Sequence, residues 1–306
     1  MRRSDGHLER GLPARIGEFL HPGKQRADRN VRGPLMRIAV RHVTRFRFDE
    51  RVNYAIHDTR LQPAAGDGQR LTSWTVRGPG RRHDWIDGYG NAVSTFSLAA
   101  PHRELEIVAE GVYEWSGDAA WISFPERDSL PPEFWLLNRG LARHEAAMDG
   151  LIEGLQSAVG KPDARIAAMH DLMDRLADRI VFRTGVSTPD STALEIVAQG
   201  AGVCQDMAHV FIGCCRRLGV PARYASGYLR RAPGHAVGTA SHGWAEAWIE
   251  GLGWVGFDPA NRCSPTGDFL RLAVGLDYAS AAPVTGRRIG PGLGGEMDVS
   301  ATVEAI

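Results

Sequence analysis

Residues 200–220 read GAGVCQDMAHVFIGCCRRLGV, and how this stretch folds decides the architecture around it. Gly200 and Gly202 precede its start, and Gly219 and Pro221 mark its end. At about 100° per residue, Cys204, Met207, Phe211, Cys215 and Leu218 fall within about 80° of one another, which predicts a core helix with Cys204 at its N-terminal tip. Cys214 and Cys215, in mid-helix, read as small hydrophobes. Cys204 has two readings, a packed side chain of the same kind or a nucleophile. The first turn of a helix carries unpaired N–H groups and the positive end of the dipole, and both favour a thiolate. The glycines ahead of it let a substrate approach the backbone. The Cys204 N–H is also placed to donate to an oxyanion.

Two later segments supply what a working thiol needs. SHGWAEAW, residues 241–248, alternates as a strand and sets His242, Trp244, Glu246 and Trp248 on one face. GWVGFDPAN, residues 253–261, follows it closely. A hairpin loop of Gly251, Leu252 and Gly253 would face Glu250 with Trp254, leaving His242 and Asp258 on the same face but four residues out of register. Twist or a bulge would have to close that gap, and a two-residue loop would reverse the parity. Asp258 is then the candidate to hold the imidazole by its Nδ1–H, with the other nitrogen toward sulfur. Glu246 shares the face and reads as structural or as support behind the ring. A hydrogen-bonded structural histidine is the competing reading of His242.

Upstream, the period changes from two to that of a helix. MRIAVRHVTRFRF, QRLTSWTVRG, DWIDGYGNAVSTFSL and ELEIVAEGVYEW read as strands and turns, with Leu105, Ile107 and Ala109 facing inward and Glu104, Glu106 and Glu110 outward. They predict a β-sandwich-like domain over residues 36–125, behind a mobile extension at residues 1–35. SFPERDSLPPEF makes a break. From there Ile166, Met169, Met173, Leu176 and Ile180 form one helical stripe, and Thr192 with Glu195 forms a capping box stopped by Gly200. Residues 126–306 are therefore expected to form a second domain, helices first and then an antiparallel sheet, and the whole chain is α+β.

Composition narrows the function. Formal net charge is zero, so no global field recruits nucleic acid or an anionic membrane. No apolar run reaches the about 18 residues of a membrane helix. The four cysteines form no CxxC pair, and three crowd into one helix, so neither a zinc ribbon nor a disulfide framework is expected. A reducing, cytoplasmic setting follows. No metal and no cofactor are expected. A site built from Cys204, His209 and His242 is disfavoured, because His209 would point about 140° away from Cys204 around the helix.

GVCQDMAHVFIGCCRRLGVPARYASGYL, SHGWAEAWIEGLGWVGFDPAN and FLRLAVGLDYASAAPVTG resemble the bacterial branch of the transglutaminase-like superfamily, whose fold is related to that of papain-like cysteine proteases. MRIAVRHVTRFRFDERV through DGYGN resembles the β domain that precedes the core in that branch. The resemblance implies a papain/transglutaminase-like core in which a cysteine-bearing helix packs on an antiparallel sheet. It implies Cys204 as nucleophile, His242 as general base then acid, and Asp258 as orienter. Gly243 departs from the pattern, where alanine or another small residue usually precedes the tryptophan. The second oxyanion donor is open, with Gln199 and Trp244 as candidates. The expected activity is hydrolysis of a peptide or protein amide through a Cys204 thioester, or its transfer to another acceptor. Cross-linking to an amine and a catalytically silent binding module are the alternatives.

Overall fold

The computed structural model describes residues 35–64, 69–115, 122–123, 130–230, 240–291 and 294–306. The extension expected at residues 1–35 lies outside them, Leu35 apart, as do residues 124–129 of the Pro-rich break. Six strands come first: β1 (Met36–Val52), β2 (Tyr54–Thr59), β3 (Gln69–Arg77), β4 (Arg81–Ile86), β5 (Ala92–Leu98) and β6 (His102–Trp115). Alternation sets their faces as expected. In β6, Leu105, Ile107 and Ala109 are buried while Glu104 and Glu106 are exposed. Glu104, Glu106, Glu110 and Glu114 stand opposite Arg47, Arg45, Arg41 and Arg37 of β1, and each pair is an ion pair. Exposed pairs contribute only about 0–1 kcal/mol each, so the ladder serves register more than stability.

After short helical turns that include Asp149–Ile152 and Gln156–Val159 come three longer helices, α1 (Pro162–Arg179), α2 (Ala193–Gln199) and α3 (Cys204–Arg217). The stripe read on α1 is buried from Ile166 to Leu176, with Ile180 just beyond the helix end. Thr192 and Glu195 cap α2 reciprocally, the Thr192 N–H donating to Glu195 Oε2 at 2.8 Å, and Gly200 ends it in the left-handed region. α3 differs from its reading. It is buried from Asp206 to Arg216 on every side rather than along one stripe, as befits a helix at the centre of a domain.

Four strands complete the core: β7 (Ala222–Leu229), β8 (Ser241–Ile249), β9 (Gly253–Phe257) and β10 (Phe269–Gly275). With Ile122–Ser123 they form one antiparallel sheet in the order β10-β7-β8-β9 and then Ile122–Ser123. α3 packs on β7 and β8 of this sheet. The expected architecture, a cysteine-bearing helix on an antiparallel sheet, is present.

The chain then returns to its beginning. β11 (Val284–Ile289) pairs with β2, and β12 (Gly295–Ala305) pairs with β1. The two N-terminal sheets thus run β12-β1-β6-β3 and β11-β2-β5-β4. A linear division of the chain at residue 125 does not anticipate this. The outer edges of β1 and β2 would otherwise leave ladder groups unpaired, and the returning strands cover them. Side chains of both sheets, such as Ile38, Ile107, Ala55 and Phe96, share one core that also takes in Tyr228, Leu270 and Leu272. No helix among the described residues is long and apolar enough to cross a membrane.

Candidate active site

Cys204 is the first residue of α3. The turn that delivers it is fixed by Asp206, whose Oδ2 accepts from the Val203 N–H at 2.8 Å and from Ser187 Oγ at 2.5 Å. Burial pushes the Asp206 carboxyl up, and these two bonds oppose the shift. Cys204 is partly exposed, on the wall of a cleft of about 220 Å³. Tyr224, His242, Gly243 and Tyr278 line the core side of this cleft, while His42 and Thr44 of β1 and Met297 and Val299 of β12 line the other. The sandwich sheet therefore forms one bank of the crevice that holds the thiol.

The hairpin that carries the other two groups has a three-residue loop, but it consists of Glu250, Gly251 and Leu252, so the register is shifted by two from the expected one. Ile249 faces Gly253 and Trp248 faces Trp254. Gly251 and Gly253, at φ 81° and 86°, hold conformations that side chains rarely adopt. The even shift preserves parity, so His242 and Asp258 still share a face. Extending the ladder past Ala245–Phe257 sets Asp258 opposite Trp244, two residues from His242 instead of four. At that diagonal distance side chains meet without a bulge. Beyond β9 the chain closes a tight turn in which the Asp258 N–H donates to the Cys263 carbonyl at 2.9 Å, with Arg262 at φ 49°.

His242 Nε2 lies 2.6 Å from Asp258 Oδ2. The expectation had the nitrogens the other way round: Nε2 faces the carboxylate, which leaves Nδ1 for the sulfur. Asp258 is fully buried, and its carboxylate also accepts from the Ala260 N–H at 3.1 Å and from Asn261 Nδ2 at 2.6 Å. Asn261 Nδ2 lies 3.3 Å from His242 Nε2 as well. Sequence reasoning passed over Asn261. The signal was there, since Asp-Pro-Ala-Asn is a turn in which an amide three residues on can reach back to the acid.

Electrostatics separates Cys204 from the other three cysteines. Desolvation raises its thiol, but the charge and hydrogen bond of His242 and the Gly243 N–H outweigh this and hold the thiol below its ordinary value. Burial drives Cys214 and Cys263 up to about 12 and Cys215 well above the ordinary value. For His242 desolvation acts downward, and the Asp258 and Cys204 charges reverse it, so the imidazole is raised to about 10. A depressed thiol beside a raised imidazole favours a thiolate–imidazolium pair.

The remaining candidates lie elsewhere. Glu246 is fully buried between two arginines, with Arg223 Nε at 2.8 Å and an Arg271 guanidinium nitrogen at 3.0 Å, so its carboxylate is engaged by both. Trp244 is fully buried, its ring stacked on that of His242 at 6.3 Å between centroids, and it is not among the residues that line the cleft. Gln199 is not brought to the cleft. It is exposed, and its amide donates to the Ala201 carbonyl at 2.6 Å, closing the end of α2. His209 is buried outside the cleft lining, accepting from the Tyr278 N–H at 2.9 Å.

Comparison with known proteins agrees with this architecture. Residues 154–259 match the transglutaminase-like superfamily core, and residues 38–114 match the bacterial transglutaminase-like N-terminal region. An uncharacterized protein of Mycobacterium leprae is 29% identical over 282 residues, covering 84% of this chain and 95% of its own. One of Mycobacterium tuberculosis is 28% identical over 288 residues, covering 85% and 91%. A candidate cysteine protease from Cytophaga hutchinsonii, solved by crystallography, shares the fold with a TM-score of 0.69 at 17% identity, covering 90% of this chain and 92% of that one. The chain is a transglutaminase-like protein, its superfamily core preceded by a bacterial transglutaminase-like N-terminal region.

Proposed function

We propose that the protein is a cysteine-dependent hydrolase or acyltransferase that acts on a peptide or protein amide through a Cys204 thioester. The observation that carries this reading is the meeting of a depressed thiol and an imidazole at one cleft, with a buried carboxylate bonded to the imidazole. The Cys204 thiolate attacks the amide carbon, and its N–H donates to the oxygen that becomes negative. His242 then passes its Nδ1 proton to the amine nitrogen, the C–N bond breaks, and the acyl group stays on sulfur. In the second half His242 removes a proton from water, the hydroxide attacks the thioester, and the C–S bond breaks to return the thiolate. Asp258, accepting from Nε2, keeps the ring oriented and supports its charged form.

Water is the preferred acceptor because it is ubiquitous, and among the described residues none that lines the cleft is an acid able to gather an amine. A reducing, cytoplasmic setting suits this chemistry, since all four cysteines are free thiols. The test is incubation with a peptide library, with and without a primary amine, comparing wild type and Cys204→Ala by mass spectrometry. Shortened or deamidated products that need Cys204 support hydrolysis, and amine adducts move the reading to transfer. Identical profiles for the two proteins remove it.

A further inference from the structure

Thioester formation places negative charge on the substrate carbonyl oxygen, and one backbone donor at the tip of α3 is half of what such an oxygen takes. Neither Gln199 nor Trp244 is among the residues that line the cleft, and the first donates its amide to the Ala201 carbonyl. The cleft wall offers a different donor. Tyr224 lines the cleft beside Cys204, and β7 and β8 are registered with Ser226 opposite Gly243. From two residues away the Tyr224 side chain crosses to Gly243, so closely that a Cβ there would lie 2.0 Å from the phenol oxygen. The Gly243 N–H is itself a hydrogen-bonding partner of the Cys204 sulfur. Sulfur and phenol oxygen therefore flank the same residue.

We propose that the Tyr224 hydroxyl is the second oxyanion donor of this site, acting with the Cys204 N–H on the tetrahedral intermediate. The assignment rests on the acyl-transfer reading above. It accounts for a glycine at position 243, because a side-chain methyl there would occupy the place of the hydroxyl. The ring is held in position by His209, tilted at 5.2 Å between centroids, and by Tyr278, edge-on at 6.1 Å. Burial, then the charge of Cys204, raises the Tyr224 hydroxyl well above its ordinary value while the Cys204 thiol is held below its own, so between the two a protonated phenol stands beside a thiolate.

Two reactions of the same thiolate separate this role from a purely structural one. With p-nitrophenyl acetate the sulfur bonds to the acyl carbon, an oxyanion forms, and the C–O bond then breaks to release p-nitrophenolate. With iodoacetamide the sulfur displaces iodide and no oxyanion forms. Tyr224→Phe is expected to slow Cys204 acetylation by about 10- to 100-fold, at or below the range for loss of one oxyanion donor. Its alkylation rate and alkylation pH profile should match wild type. Equal slowing of both reactions, or of neither, overturns the assignment while leaving the thioester reading intact. Acetylation that is the same in wild type and Cys204→Ala brings down the thioester reading, and this assignment with it. Should the phenylalanine variant not fold, 3-fluorotyrosine placed at 224 carries the test. Its more acidic hydroxyl should make acetylation, but not alkylation, lose rate at lower pH than in wild type, and coincident profiles overturn the proposal.

Discussion

His242 and Asp258 are 16 residues apart in sequence, and a hairpin with a three-residue loop brings their Nε2 and Oδ2 atoms to 2.6 Å. Asp258 charge is a main reason the imidazole is raised to about 10 despite its burial. Asp258→Asn removes that charge. The alkaline limb of the rate profile is therefore expected to move to lower pH, since the imidazolium then loses its proton sooner. Asn261→Ala, which keeps the charge and removes only the amide between the two groups, should shift this limb less. Measuring kcat/KM against pH for the three proteins checks both.

The wild-type profile itself should be a bell. The rate rises as pH passes the depressed thiol value, below the usual thiol range, because only the thiolate attacks. It falls near pH 10, where the imidazolium that protonates the leaving group is lost. His242→Ala should move the thiol upward and lower the rate by about 10²–10⁴, the range for a positioned acid–base group. A thiol midpoint unchanged in that variant would show that the helix end alone sets it.

Alkylation should distinguish the four cysteines. Cys204 alone combines partial exposure with a depressed thiol, whereas Cys214, Cys215 and Cys263 are all raised. Brief iodoacetamide treatment at neutral pH followed by peptide mapping should label Cys204 first. Cys263 reacting at the same rate would contradict the electrostatic account.

Glu246 makes a stability prediction rather than a catalytic one. It is the acid between Arg223 and Arg271, and Arg223 in turn lies 4.0 Å over the Trp254 ring. Glu246→Ala leaves two buried guanidinium groups without their carboxylate, a loss of about 3–5 kcal/mol. Urea denaturation followed by tryptophan fluorescence would measure it. Pre-folded Glu246→Ala that retains native stability would show that the arginines find other partners.

The elements that positioned the site were legible because their signals are local. Apolar spacing marked α3, the capping box marked α2, and alternation marked β6 and β8. The parity argument for the hairpin also held, since it depends only on an odd loop length. The two-residue shift was not legible, because glycines at 251 and 253 fit either loop and nothing local chooses between them. The pairing of β11 and β12 with the N-terminal sheets was hidden for a different reason. Their strands are largely exposed, so they carry little of the alternation that reveals a buried face, and partner choice is set by open edges far away in sequence. The role of Asp206 and the closeness of Tyr224 to Gly243 are likewise tertiary, with no signature in spacing.

The most direct measurement is of the covalent intermediate. Wild-type protein is mixed with the peptide library, quenched in acid within the first turnover and digested for mass spectrometry. An acyl group on the peptide containing Cys204, released by neutral hydroxylamine and missing from Cys204→Ala, is the predicted result. Turnover of the library with no acyl group on Cys204, or with the label on another residue, would contradict the account.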